Sequence, residues 1–93
     1  MRWKLFATLA EVAGENELGV AVETEDPTVR DALDALLAAR PSLEAAVLDE
    51  SGDLQSHIRL LHEGTDPFTD GDGWQTPVSP EDELALFPPV SGG

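Results

Sequence analysis

The residues best placed to do chemistry stand at the C-terminal end, Leu86-Phe87-Pro88-Pro89-Val90-Ser91-Gly92-Gly93. Glycine has no Cβ, so a partner's backbone and reactive groups can approach a Gly-Gly carboxylate closely. Pro88 and Pro89 make a stiff spacer, and Val90, Ser91 and Gly92 carry no side chain bulky enough to fold back. Such a tail can be threaded through a narrow channel, which leaves the terminal Gly93 carboxylate open to close approach by a partner. Other candidates are weaker. His57 and His62 have no third ligand at metal spacing, which favours a surface or structural role. The acidic run from Asp66 fails the calcium-loop template, because Phe68 and Pro77 occupy positions that require oxygen ligands. Carboxylate pairs abound, yet a catalytic pair needs a pocket that shifts one pKa, and nothing in so thin a core argues for one. Cysteine is absent, and no Gly-rich phosphate loop or Ser-His-Asp set stands out. The residues predict no metal site, no bound cofactor and no enzyme.

The elements that position the tail follow from hydrophobic periodicity. Trp3, Leu5, Ala7 and Leu9 alternate with Lys4, Phe6 and Thr8, the period-2 pattern of a half-buried strand. Leu9 to Ala13 reads as a short helical turn stopped by Gly14. Leu18, Val20 and Val22 alternate again, predicting a second strand antiparallel to the first, broken by Asp26-Pro27. Thr28 is placed as an N-cap with Asp31 three residues on, and Val29, Leu33, Leu36 and Leu37 form the apolar stripe of the main helix. Pro41 ends it. Leu43 to Leu48 predicts a second helical piece and His57 to Leu61 a third strand, followed by a turn at Glu63-Gly64. Residues 65–74 show no periodicity and are expected to be a mobile acidic insertion. Gln75 to Val78 predicts a brief strand, and Leu84 and Leu86, alternating with Ala85 and Phe87, the last one. The order predicts an α+β fold, a β-grasp (ubiquitin-like) roll with a mixed four- to five-stranded sheet, one main helix and short extra helices. The domain is expected over 1–87, and 88–93 as a flexible diglycine tail.

Length and charge narrow the function. Ninety-three residues fit one small domain. Nineteen Asp and Glu oppose five Lys and Arg, for a net charge of −14. So negative a surface repels phosphates and anionic lipid, which argues against nucleic-acid and membrane partners. From Leu60 onward there is no Lys or Arg at all. The surplus fits adaptation to high salt, where screening removes self-repulsion, or a negative face for a basic partner. No apolar run approaches a membrane span and Met1-Arg2-Trp3-Lys4 is no signal peptide, so a cytoplasmic monomer is expected.

The C-terminal Leu86-to-Gly93 ending resembles that of two related groups. These are the small subunit of molybdopterin synthase (MoaD-like) and the ubiquitin-like small archaeal modifier proteins. The opening Lys4-Leu5-Phe6-Ala7-Thr8-Leu9-Ala10-Glu11-Val12-Ala13-Gly14, the helix Thr28-Val29-Arg30-Asp31-Ala32-Leu33, and His57-Ile58-Arg59-Leu60-Leu61 are similar too. The likeness runs nearly end to end and, with the acidity, looks closest to the haloarchaeal modifiers. Members often have Asn-Gly where this chain has Glu63-Gly64, and Gly-Asp-Glu where it has Glu81-Asp82-Glu83.

The resemblance implies a protein that is itself a substrate. A ubiquitin-activating-type (MoaB/ThiF-like) enzyme would use ATP and magnesium to adenylate Gly93. Attack on that carbonyl would give an isopeptide bond to a target lysine, or a thiocarboxylate that donates sulfur in molybdopterin biosynthesis. Gly92 and Gly93 would be the conjugation residues, Pro88, Pro89, Val90 and Ser91 the spacer, and Lys4, the single lysine, a possible acceptor. Implied partners are target proteins, the molybdopterin synthase large subunit and a desampylase-type metalloprotease. Two alternatives are a dedicated sulfur carrier, serving molybdopterin synthase or tRNA thiolation without conjugation, and a plain interaction domain.

The pleat suggests where a partner would dock. If Leu5, Ile58, Leu60, Leu84 and Leu86 face the helix, then Phe6, Leu61, Ala85 and Phe87 point away from it. This apolar cluster beside the tail is the candidate docking patch, in keeping with the family, whose members use this face. The plainer expectation is that Phe6 and Phe87 pack on each other or under the 65–74 insertion.

Overall fold

A computed structural model describes residues 1–88, so Pro89, Val90, Ser91, Gly92 and Gly93 lie outside the described residues. The chain opens with β1 (Arg2–Leu5). The strand stops at Leu5 instead of running to Leu9 because Ala7 adopts a φ of 49° and turns the backbone. Helix α1 (Thr8–Ala13) follows and ends at Gly14, whose φ of 83° is the left-handed cap that glycine adopts without a Cβ clash. Strand β2 (Glu17–Gly19) lies antiparallel to β1, as the alternation predicts, but is shorter. One further bond extends that pairing, from the Val20 N–H to the Met1 carbonyl at 2.8 Å.

Helix α2 (Val29–Ala39) is built as its sequence predicts. The Thr28 hydroxyl accepts from the Asp31 N–H, and the Asp31 carboxylate accepts from the Thr28 N–H at 2.9 Å, a reciprocal capping box. Val29, Ala32, Leu33, Leu36 and Leu37 are all buried on one face. Arg40 ends the helix and ties it to α1 by donating to the Ala13 carbonyl and pairing with Glu15. A 3-10 turn at Pro41–Leu43 leads into α3 (Glu44–Val47), which together fill the expected helical piece. Strand β3 (Arg59–His62) begins two residues later than predicted, although Ile58 is still buried.

Two corrections concern the stretch before the last strand. Residues 65–74, expected to be irregular, form α4 (Pro67–Asp70) and the start of a 3-10 turn at Gly73–Gln75. The Asp66 carboxylate caps α4 by accepting from the Phe68 N–H at 2.9 Å. Phe68 packs edge-on to Trp74 at 5.0 Å, and the Arg30 guanidinium of α2 lies over the Trp74 ring. These anchors join residues distant in sequence, which periodicity cannot register. The predicted strand at Gln75–Val78 is replaced by the end of that turn and a single bridge between Thr28 and Pro77.

Strand β4 (Glu83–Phe87) forms as predicted. It enters the middle of a four-stranded sheet in the order β2-β1-β4-β3, parallel to β1 and antiparallel to β3. A mixed sheet with its main helix across one face is the β-grasp arrangement. Trp3, Leu5, Leu60, Leu84 and Leu86 project toward α2, each no more than 2% exposed. The Trp3 indole N–H donates to the Ala32 carbonyl, so the largest core side chain leaves no polar atom unpaired.

Candidate functional site

The register of β1, β4 and β3 decides what the face away from α2 presents. Lys4 stands beside Ala85, and Ala85 opposite Leu61, so the three form one row across the sheet. Phe87 lies two residues beyond Ala85 on the same side, opposite Arg59. Phe6 leaves β1 just past its last residue and stacks on Phe87, with ring centroids 4.4 Å apart and planes 9° from parallel. The structure therefore brings together all four residues predicted for the docking patch. Phe6 and Phe87 do pack on each other, yet Phe6 remains 39% exposed, and Leu61, Ala85 and Phe87 are only partly buried. The segment at 65–74 reaches this side through Asp66, which pairs with Arg59. Its Trp74 lies against Arg30 of α2, on the opposite side of the sheet.

Charge is distributed unevenly around this patch. Of five basic residues, Arg2, Lys4 and Arg59 alternate onto this outer face, and each meets one acid. Arg2 pairs with Glu17 at 3.1 Å, Lys4 with Glu83 at 3.3 Å and Arg59 with Asp66 at 3.9 Å. A chain carrying −14 overall thus keeps this face close to balanced. Arg59 is the residue that sequence reading passed over as a site. Its alternation with buried Leu60 was the available signal, because it places Arg59 outward beside Leu61.

The tail leaves from this same corner. Phe87 ends β4 and Pro88 follows, partly buried, lining one surface hollow with Ser56, His57, Arg59, Asp66 and Thr69. Gly92 and Gly93, expected to be the conjugation residues, and the expected spacer residues 89–91 fall outside the described residues. His57 and His62 are not brought together. His57 is exposed, whereas His62 Nε2 lies 2.6 Å from the Asp82 carboxylate at the end of the sheet. Burial pushes the Asp82 carboxyl up. The hydrogen bond to His62, the N–H of Ser79 and the charges of His62 and the Met1 amine outweigh burial and hold it below 3.8.

The Glu63-Gly64 turn shows how this chain accommodates a departure from the expected Asn-Gly. Both residues have positive φ, 51° and 81°, the geometry of a tight two-residue hairpin that Asn and Gly adopt most readily. Glu63 offsets that strain with its side chain, whose carboxylate accepts from the Glu83 N–H at 2.8 Å. The turn geometry is kept and its first residue is locked to β4.

The model of the ThiS family matches residues 3–93. The chain belongs to the ThiS family. Within that family it is 50% identical to small archaeal modifier protein 1 of Haloferax volcanii over 93 residues, covering all of both chains. It is 36% identical to small archaeal modifier protein 3 of the same organism over 97% of this chain and 95% of that one. The crystal structure of the Haloferax volcanii modifier protein 1 superposes with a TM-score of 0.89 at 49% identity, over all of this chain and 98% of the other. The β-grasp fold and the ubiquitin-like, archaeal-modifier character of this ThiS-family chain rest on those matches and on the sheet described above. Among the described residues, no helix is long and apolar enough to cross a membrane.

Proposed function

We propose that the chain is a ubiquitin-like modifier whose Gly93 carboxylate is activated by a ThiF-like adenylating enzyme and transferred to lysines of target proteins. The activating enzyme holds ATP and magnesium; the modifier contributes no catalytic group. The carboxylate attacks the α-phosphorus of ATP, pyrophosphate leaves, and Gly93 becomes an acyl-adenylate with AMP as its leaving group. A lysine amine then attacks the carbonyl, giving an isopeptide bond and AMP. A persulfide instead attacks the same carbonyl and displaces AMP, giving an acyl disulfide; a thiol then cleaves its S–S bond, leaving a disulfide and the thiocarboxylate that supplies sulfur for molybdopterin biosynthesis. In this reading the protein works in the cytoplasm, as a monomer, and is a substrate rather than an enzyme.

The observation that carries the reading is the position of the Phe6–Phe87 stack. Phe87 is the last residue of β4, so a partner seated on this patch has the tail beginning at its edge. The balanced charges of the outer face favour docking here, because a partner meets less repulsion than elsewhere on the molecule. The dedicated sulfur carrier is a second reading, favoured by the family match itself, and differs only in the fate of the activated carbonyl.

The test is ATP–pyrophosphate exchange with the cognate activating enzyme. Deleting Gly92-Gly93 withdraws the carboxylate by up to about 7 Å, well beyond the roughly 3–3.5 Å needed for attack. Exchange is expected to fall to background, while circular dichroism stays native. A truncated protein exchanging at the wild-type rate overturns both readings. Intact-mass measurement from the cells of origin separates them: a sulfur-for-oxygen change on Gly93 marks the carrier, and tail remnants on other proteins' lysines mark the modifier.

A further inference from the structure

We infer that the free edge of β3 and the cavity beside it form a second docking site. Its occupant is a basic, extended segment of a partner protein, added as a strand with one apolar side chain in the cavity. The site needs neither the tail nor an activating enzyme. The cavity has a volume of about 420 Å³ and lies between residues 53–58 and the 65–74 segment. Its apolar walls are Leu54, Ile58, Leu60, Phe68 and Trp74. Ile58 and Leu60 belong to the core, whereas Phe68 stays 42% exposed. A hollow of this size, walled by an edge-on aromatic pair, accepts a large apolar anchor.

The backbone of β3 supplies the rest of the contact. In the order β2-β1-β4-β3 it is an outermost strand. The His62 N–H donates to the Thr65 carbonyl at 2.8 Å and the Thr65 N–H donates back at 2.9 Å, so His62 turns its backbone groups away from β4. Alternation along an antiparallel strand turns the N–H and carbonyl of Leu60 the same way. Among the described residues, neither group finds a partner on that side. An incoming strand pairs with such groups, and because its side chains alternate, one of them enters the cavity that Leu60 lines.

Charge selects the occupant. The 65–74 segment carries Asp66, Asp70 and Asp72 and no Lys or Arg. Asp53 stands at the cavity beside Trp74, accepting from its indole N–H at 3.2 Å. The two cations nearby are already matched, Arg59 with Asp66 at 3.9 Å and Arg30 with Asp34 at 3.5 Å. Asp53, Asp70 and Asp72 meet no cation among the described residues. A segment with Lys or Arg on either side of its apolar residue supplies the missing charge. A second copy of this chain, at −14, meets repulsion instead.

The probe is a synthetic peptide of alternating valine and lysine around a central phenylalanine, titrated into the full isotope-labelled chain and followed by amide NMR. The Leu60 amide and the Trp74 indole N–H are expected to shift together. Hydrogen exchange at the Leu60 amide is expected to slow at least tenfold at saturation, because that N–H gains a partner. Phe68→Ala is expected to weaken binding at least tenfold with circular dichroism unchanged. If that variant does not fold, the same peptide with glutamate for lysine, added to the wild-type chain, carries the test and is expected to bind at least tenfold more weakly. Absence of any shift, or shifts confined to Phe6, Leu61 and Phe87, overturns the site. Shifts at Trp74 with unchanged exchange at Leu60 overturn the strand pairing. Equal affinity for the lysine and glutamate peptides overturns the choice of a basic partner. Free indole that binds the cavity where the peptide does not marks a small-molecule pocket and overturns the proposal.

Discussion

On β1, β3 and β4, residues that alternate along the same strands serve two different surfaces. Toward α2 the sheet presents Trp3, Leu5, Leu60, Leu84 and Leu86, sealed from water. Away from α2 it presents Lys4, Leu61, Ala85 and Phe87, joined by Phe6 and left partly open. The inner face is apolar up to His62, which pairs with Asp82 just before β4. The outer face is mixed, with an aromatic stack surrounded by paired charges. The difference shows how a 93-residue chain folds on one side of its sheet and leaves the other open for the docking proposed above. One side of the pleat supplies the buried area that a thin core needs, and the other is released from that duty.

Emptying the inner face is the hardest way to break this division. Leu86 is fully buried in the central strand, so Leu86→Ala removes its transfer energy and leaves a cavity. The expected loss is about 2–5 kcal/mol, read as a lower midpoint in urea at unchanged slope. A protein of this size has a total stability of roughly 5–15 kcal/mol, so the variant is expected to populate unfolded chain near 37 °C. Loss below about 1 kcal/mol would mean that β4 is not the packed centre of the sheet.

Salt comes next in size and acts on the surface as a whole. At 0.01 M the Debye length is about 30 Å, longer than most of the molecule, and at 1 M it is about 3 Å. Raising KCl between those limits silences repulsion among the nineteen acids, at the expense of the exposed ion pairs. Because exposed pairs are worth little, the net effect is stabilising, with a midpoint higher by several degrees in thermal unfolding. Equal midpoints at both salts would remove electrostatic strain from the account of this fold.

How much of this was legible before folding depends on how far each contact reaches along the chain. The capping box of α2, its apolar stripe and the alternation of β4 are local patterns, and they are present as read. The outer patch follows from the same period of two. Three features lie beyond such reading. Strand β1 stops at Leu5 because Ala7 takes a backbone conformation that its sequence does not announce. Residues 65–74 are organised by Phe68, Trp74 and Arg30, a contact that exists only once α2 and the segment are adjacent. The His62–Asp82 pair joins residues on β3 and before β4 that register alone brings together. Nor does composition place three of the five cations on one face; the alternation of Arg2, Lys4 and Arg59 becomes informative only once the strands are ordered.

That polar pair offers a narrower test of the inner face. The Asp82 carboxyl is held below its ordinary 3.8, so its ionised form stabilises the fold. A depressed pKa contributes stability that is complete above the unfolded value and is lost as pH falls through the folded one. Wild type is therefore expected to exceed Asp82→Asn in thermal midpoint at about pH 5, with the margin shrinking below about pH 4. A margin that grows on acidification would reverse the sign of the pairing.

The smallest expected effect on folding is the sharpest test of the two faces. Leu61 is flanked in sequence by buried Leu60 and half-buried His62, but its side chain points outward beside Ala85. Leu61→Glu forfeits part of one leucine's burial and adds an acid near the paired charges, a change of about 1 kcal/mol or less. Circular dichroism and the urea midpoint are expected to stay near wild type, in contrast to the collapse expected of Leu86→Ala. Binding to the activating enzyme is expected to fall at least tenfold, because the charge must be desolvated in the middle of an apolar contact. Phe6→Ala provides a second route to the same outcome, removing half of the aromatic stack without introducing charge. Unfolding by Leu61→Glu would show that this position belongs to the core. Wild-type binding by both variants would leave the outer face without its assigned partner.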